Sequence, residues 1–170
     1  LHSFPTRRSS DLIKFSPNTS YEIIDLADNN LPFADGRFLN EYDSSVLNLI
    51  NKIIDADALV IGFPVYQASI PGSLKNLFDL LPIDSIKNKP VGVISTSGSD
   101  KHYLVAEYQL IPILNYLKAD VINKYVYITQ KDFAVDSIIN DGIILRLENL
   151  AKELENKVLK YQEKMRLFDF

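Results

Sequence analysis

The stretch Ala56–Pro82, ADALVIGFPVYQASIPGSLKNLFDLLP, changes its periodicity twice. ALVIGF (58–63) is a continuous apolar run, the pattern of a parallel strand covered on both faces. Pro64 has no N–H to give and is expected to end the ladder. Pro71-Gly72 then opens a helix, with the proline where a first turn tolerates its missing donor. In that helix Leu74, Leu77, Phe78 and Leu81 recur at helical spacing. Between strand and helix lies an elbow, Pro64 to Ser69, that displays Tyr66.

The same alternation extends to either side. Upstream, Val46, Leu49, Ile50, Ile53 and Ile54 line one face of a helix over Ser44 to Asp55. Tyr21 to Leu26 reads as a short strand, followed by a loop with turn residues Asp35-Gly36. Downstream, PVGVIST (90–96) is a second buried strand ending in the small-residue loop SGSD. Lys101 to Lys118 reads as a helix that is apolar on nearly every side. Such a helix needs cover from the sheet and from something else, such as another subunit. VINKYVYI (121–128) mixes polar and apolar positions like an outer strand. Ser137 to about Met165 reads as a long amphipathic helix with Ile144, Leu147, Leu150 and Leu154 on one face. Strands alternating with helices predict one doubly wound α/β sheet, without internal repeat, linker or low-complexity segment.

Composition narrows the chemistry. The chain has 170 residues, 46% of them hydrophobic, and no apolar run near the ~20 residues that span a bilayer. The formal charge of −4 comes without a basic run, which argues against nucleic acid. There is no cysteine, hence no disulfide framework, and a cytoplasmic location is expected. The first twelve residues, LHSFPTRRSSDL, read as a short-read sequencing adapter translated in one frame, the alternative being a basic N-terminal arm without fixed structure, so residues 13–170 are taken as the native part. Setting aside Arg7, Arg8 and Asp11 from the 18 basic and 22 acidic residues leaves 16 and 21, a net charge of −5. His102 is then the only histidine. Triads and histidine-ligated metals are poorly served by such a chain, and an enzyme of this composition would rely on a cofactor.

In open α/β sheets, ligands sit beyond the carboxyl ends of the strands. Two loops leave such ends here: Pro64-Val65-Tyr66-Gln67-Ala68-Ser69 and Thr96-Ser97-Gly98-Ser99. Taken alone, a proline and a glycine around a βα turn serve equally well as punctuation, a displayed tyrosine as packing, and Ser-Gly-Ser as an ordinary turn. His102 reads as a helix-start residue, and Lys75 with Asp79 as a surface i,i+4 pair. Pro112 removes the bond to the carbonyl of Tyr108, so a kink or π-bulge is expected there.

The opening segment resembles the signature of the NAD(P)H-dependent FMN reductases of flavodoxin-like fold. That signature runs approximately A-D-x-h-h-h-x-S/T-P-h-Y-x-x-x-h-x-G-x-L-K-x-h-h-D-x-L, with h apolar, and the chain departs from it only at Phe63. KPVGVISTSGSDKHYLVAEYQLIPILNYLKADVINKYVYI is similar to the family's next strand, flavin loop, helix and edge strand. LPFADGR resembles its loop after the second strand. The DLLP ending and the EYQLIPIL helix are closest to the alkanesulfonate-utilisation type. The resemblance implies a three-layer sheet and reduction of FMN, by hydride transfer from NAD(P)H to flavin N5. It also implies supply of reduced flavin to a partner such as a monooxygenase. Pro64, Val65, Tyr66 and Gln67 would border the isoalloxazine ring, and Ser97, Gly98 and Ser99 would face its polar edge. No catalytic acid or base is implied. The all-round apolar helix at 101–118 leads to the expectation of a homodimer or homotetramer, and the resemblance implies Tyr108 in a π-helix at its subunit interface.

Family members begin with a strand and a loop resembling S-G-S-x-R-x-x-S, which wraps the FMN phosphate at a helix N-terminus. Nothing similar stands in this sequence. The expectation is therefore a sheet lacking its first βα unit, with weak FMN binding. The alternatives are a quinone or azo reductase on the same flavin, a flavodoxin-like electron carrier, and a non-functional fragment.

Overall fold

The computed structural model describes residues 19–135 and 137–166. The twelve residues read as an adapter lie outside them, as do 13–18. Helix α1 (Ser44–Asp55) forms where the apolar spacing places it, and Val46, Leu49, Ile50 and Ile53 are buried. Its last carbonyls have no partner within the helix. The buried Lys89 supplies one: its Nζ donates to Ile53 O at 2.8 Å and to Ile54 O at 2.6 Å. Burial lowers the pKa of that ammonium, while Asp55 and Asp57 act in the opposite direction.

Strand β1 (Leu59–Pro64) leads into helix α2 (Gly72–Leu80), and strand β2 (Pro90–Ser97) follows. A 3-10 turn (Asp100–His102), a π turn (Ala106–Leu110) and helix α3 (Ile111–Tyr116) come next. Strands β3 (Asp120–Val121) and β4 (Val126–Thr129) are followed by a small hairpin of β5 (Phe133–Ala134) and β6 (Ser137–Ile138), then by helix α4 (Asp141–Arg166). In the main sheet β2 is central: β1 pairs with one edge, and β3 and β4 share the other, all in parallel.

The molecule is layered as the sequence implies. One core cluster joins α1, α2, the π turn and α3 to Phe63, Val91 and Val93. The other joins Ile143, Leu147, Leu150 and Ala151 of α4 to Ile94, Val126 and Ile128. This is the α/β, flavodoxin-like arrangement of helices on both faces of a parallel sheet. Gly92 lets α4 lie close against β2, since a Cβ there would stand 3.3 Å from Leu150 Cδ1. No helix among the described residues is long and apolar enough to cross a membrane.

The structure corrects the sequence reading at several points. Tyr21–Leu26 forms no strand; a strand exists through its ladder, and no described segment pairs with this one. Ile24 and Leu26 nevertheless pack on the first core cluster. Strand β1 is half-buried except at Phe63, whereas β2 is buried along nearly its whole length. The second edge of β1 has no strand partner among the described residues.

Pro64 does not end the ladder toward β2, because the Val65 N–H still donates to Thr96 O at 2.8 Å. Successive residues of a strand turn their N–H groups to opposite edges. The missing donor of Pro64 thus falls on the side away from β2.

The segment 101–118 is not one helix. The irregularity expected near Tyr108 is the π turn, in which the Ile111 N–H reaches Ala106 O. It leaves Tyr103, Leu104, Tyr108 and Tyr116 exposed rather than covered. The outer strand 121–128 is broken: Val91 pairs with Val121 and Ile94 with Val126, so 122–125 stand opposite only 92 and 93. The extra residues bulge at Asn123-Lys124. Finally, Ser137–Ile138 belongs to the hairpin, and Ile143 rather than Ile144 leads the buried face of α4.

Asp132 holds the end of β4 to this hairpin. Its Oδ2 accepts from Thr129 N and Thr129 Oγ1, each at 2.8 Å, and its Oδ1 accepts from Asn140 Nδ2 at 2.6 Å. Burial alone would raise its pKa, but these bonds and Lys131 together hold it below the ordinary carboxylate value.

Two predictions follow from these buried charges. Lys89→Met relieves the desolvation of an ammonium but strips two charge-assisted bonds from the end of α1. The lost bonds outweigh the relief, so a net loss of about 1–2 kcal/mol is expected in urea unfolding. For Asp132, a depressed folded pKa means stability that is present above about pH 4 and lost as pH falls through the folded value. In Asp132→Asn, unfolding midpoints measured from about pH 6 to about pH 3 should fall less steeply than in the parent chain.

Candidate functional site

The β1–β2 ladder decides where the two candidate loops stand. Pro64 is in register with Thr96, and Ser97 with Thr129. With Val65 tied to Thr96, both loops leave the carboxyl ends of adjacent parallel strands at one level. Pro64 and Val65 are half-buried at the base of the elbow, while Tyr66, 56% exposed, and Gln67 stand clear of it. On the neighbouring loop Ser97 and Ser99 are half-buried and Gly98 is exposed. The ladder thus places Pro64, Val65 and Ser97 side by side. Tyr66 and Gln67 lie beyond it on the elbow, and Gly98 and Ser99 beyond it on the second loop.

The elbow is a tight turn of an unexpected kind. The Tyr66 N–H donates to Ser69 O at 3.0 Å and the Ser69 N–H to Tyr66 O at 2.9 Å, closing a small antiparallel bridge. Its central residues, Gln67 and Ala68, have φ of 49° and 58°. Both values are left-handed, a region that non-glycine residues enter at a cost. Turns with positive φ at both centres normally carry Asn-Gly or Asp-Gly. Gln-Ala carries no such signal, so the turn was not legible in the sequence. A second residue without a local signal supports it. Gln109, on the π turn, accepts at Oε1 from Ser69 Oγ and from Ile70 N at 3.4 Å, and donates from Nε2 to Ala68 O at 3.1 Å.

The second loop is held from below. The Tyr127 hydroxyl donates to Ser99 O at 2.5 Å, the Ser99 N–H to Ser97 Oγ at 3.4 Å, and the Lys101 N–H to Ser99 Oγ at 3.4 Å. Around the position a Cβ of Gly98 would occupy, no atom beyond the glycine and its two chain neighbours lies within 4 Å. The backbone there is bare and open to close approach by a ligand. Tyr127 is another residue that sequence reasoning left in the edge strand with no role.

Charged groups near these loops are paired with one another. Lys131 pairs with Asp100 at 2.5 Å, and Lys75 with Asp79 at 2.6 Å as the expected surface pair. In the LPFADGR segment Asp35 is held well below the usual carboxylate range by its hydrogen bonds from Arg37. Asn76 of α2 anchors that segment, accepting from Ala34 N and donating to Pro32 O, each at 2.9 Å. His102 lies in the 3-10 turn after the second loop. Among the described residues no cluster of His, Cys, Asp and Glu could hold a metal ion. A hollow of about 500 Å³ borders the second loop, lined by Asp100, Tyr103, Tyr125, Tyr127 and Lys131 among others. Another, of about 580 Å³, lies at the opposite end of the strands against Asp57, Ser85 and Lys89. The elbow itself is an open surface. Its chemistry is that of an aromatic side chain, hydroxyls and bare backbone, with no ionisable acid or base among residues 64–69 and 97–99 apart from the phenol of Tyr66. That donor set fits a flat, polar-edged ring such as isoalloxazine.

Comparison with known proteins shows the family. The family model for NADPH-dependent FMN reductase matches residues 7–133. An NAD(P)H-dependent FAD/FMN reductase of Geobacillus thermodenitrificans is 34% identical over 142 residues, covering 83% of this chain and 77% of that protein. The NADH-dependent FMN reductase SfnF of Pseudomonas fluorescens is 32% identical over 130 residues, covering 76% and 70%. The crystal structure of an oxidoreductase from Corynebacterium diphtheriae superposes with a TM-score of 0.76 at 25% identity, covering 91% of this chain and 89% of the other. A parallel sheet whose adjacent strand ends present bare backbone and an aromatic elbow, together with this match over most of its length, places the chain in the NADPH-dependent FMN reductase family.

Proposed function

We propose that this chain reduces FMN at the expense of NAD(P)H, with the isoalloxazine ring seated between the elbow Pro64–Gln67 and the loop Ser97-Gly98-Ser99. The observation that carries the reading is the bare backbone at Gly98, level with the elbow on the neighbouring strand end. When bound, the flavin supplies the hydride chemistry, which is why the chain needs no acid, base or thiol of its own. The residues supply placement and shielding. Tyr66 offers an aromatic wall. Ser97, Ser99 and the backbone around Gly98 offer donors and acceptors to the polar edge of the ring. Tyr127 and the ladder to Thr129 hold that second loop against β4.

The reduced flavin would be consumed by a partner such as a flavin-dependent monooxygenase. The exposed Tyr103, Leu104, Tyr108 and Tyr116 support an interface with a second copy of the chain.

Gly98→Val tests the placement. The branched side chain meets open space in the protein, so urea unfolding should be unchanged within about 0.5 kcal/mol. It would, however, cover the backbone that the ring needs. The shift of the FMN visible band on titration should be lost, and FMN-dependent NADPH oxidation should drop at least about tenfold. If band shift and turnover both survive in Gly98→Val, the ring does not sit there. If the parent chain perturbs the flavin band but oxidises neither NADH nor NADPH, it is an electron carrier instead.

A further inference from the structure

Among the described residues, Gln109 is the side chain that hydrogen-bonds the π turn to the elbow, through Ala68, Ser69 and Ile70. The elbow has reason to need it. Two consecutive non-glycine residues, Gln67 and Ala68, sit in the left-handed region, and a turn of that kind persists only where its surroundings hold it. The bridge between Tyr66 and Ser69 closes the turn but leaves the Ala68 carbonyl and the Ser69 hydroxyl to find other partners. Gln109 answers both. Its amide N–H takes the Ala68 carbonyl, and its amide oxygen takes the Ser69 hydroxyl, with the Ile70 N–H as a second donor.

The position of Gln109 has its own cause. Pro112 can give no N–H to the carbonyl of Tyr108, and the chain answers with a π turn, closed by Ile111 N–H on Ala106 O. The widened turn keeps Ala106 and Leu110 fully buried, leaves Tyr108 on the surface and sets Gln109 at the boundary, facing the elbow. The irregular turn and the strained turn are thus coupled through one amide.

We propose that Gln109 is a positioning residue for flavin. It holds the Gln67–Ala68 turn in its left-handed form and so sets where Tyr66 and Gln67 meet the ring. This rests on the flavin reading of the site given above. Gln109 touches no reacting atom in this role; it acts through the elbow.

The test uses Gln109→Met, which keeps the length and packing of the side chain but makes none of the bonds. It also uses Gln109→Glu, which keeps the acceptor for Ser69 and Ile70 while opposing the Ala68 carbonyl. Amide hydrogen exchange, resolved by residue in the chain without flavin, should quicken at Tyr66 and Ser69 by about tenfold or more in Gln109→Met, and less in Gln109→Glu. Exchange in β2 and α4 should stay unchanged. The Kd for FMN should rise about tenfold in Gln109→Met, while the KM for NADPH at saturating flavin stays within about twofold. Unchanged exchange at the elbow would show that Gln109 does not hold the turn. Faster exchange with unchanged FMN affinity would make the link structural only, and would equally overturn the proposal. A parent chain that leaves the flavin band unperturbed would remove the flavin reading itself; the exchange rates, measured without flavin, would still say whether Gln109 holds the elbow.

Discussion

Everything at the candidate site depends on the register between β1 and β2. Pro64 lies opposite Thr96, and the next residue still bonds across, Val65 N–H to Thr96 O. Because side chains alternate along a strand, a slip of one residue would turn Phe63 out of the core and bring the elbow out of level with Ser97-Gly98-Ser99. Two ordinary-looking loops become one surface only because the ladder ends where it does. The burial of Phe63, Val91 and Val93 in one cluster, and of Ile94 in the other, is what specifies that register.

On this regular frame the protein carries two irregular devices side by side. One is the left-handed Gln67–Ala68 turn, the other the π turn over Ala106–Leu110. Each is unfavourable as isolated backbone, and each is stabilised by tertiary contacts: the bridge between Tyr66 and Ser69 and the Gln109 amide for the first, and the buried Ala106 and Leu110 for the second. Irregular backbone held in place by a rigid sheet is where binding surfaces are commonly built. The same economy appears at the other end of the strands, where Lys89 closes the carbonyls that α1 cannot satisfy itself.

The chemistry fits the composition. With no cysteine, and with its nearest acids engaged as in Asp100–Lys131 or the Asp132 network, the chain offers a ligand shape, hydroxyls and backbone rather than reactive groups. A family whose cofactor performs the hydride step asks for nothing more. The low demand on side-chain chemistry also explains why the elbow and the Ser-Gly-Ser loop, seen without their relatives, read as readily as punctuation as they do as a site.

Much of the fold was legible because burial imposes a period on the sequence. The apolar face of α1, the runs of β1 and β2, and the consequence of Pro112 all follow from local rules about spacing and missing donors. The readings that failed were non-local. Tyr21–Leu26 has a strand's composition, but pairing is a property of two segments. The outer strand 121–128 looks continuous, yet its bulge appears only when it is laid against β2. Gln67-Ala68 has no turn signature, and Gln109 is a polar residue in an apolar helix until the elbow is brought against it. The sequence by itself determined which segments are strands of the core, which faces are apolar and which family motif they carry. Register, the left-handed turn and the partner of Gln109 were decided by tertiary structure, because each depends on contacts between residues far apart in the chain.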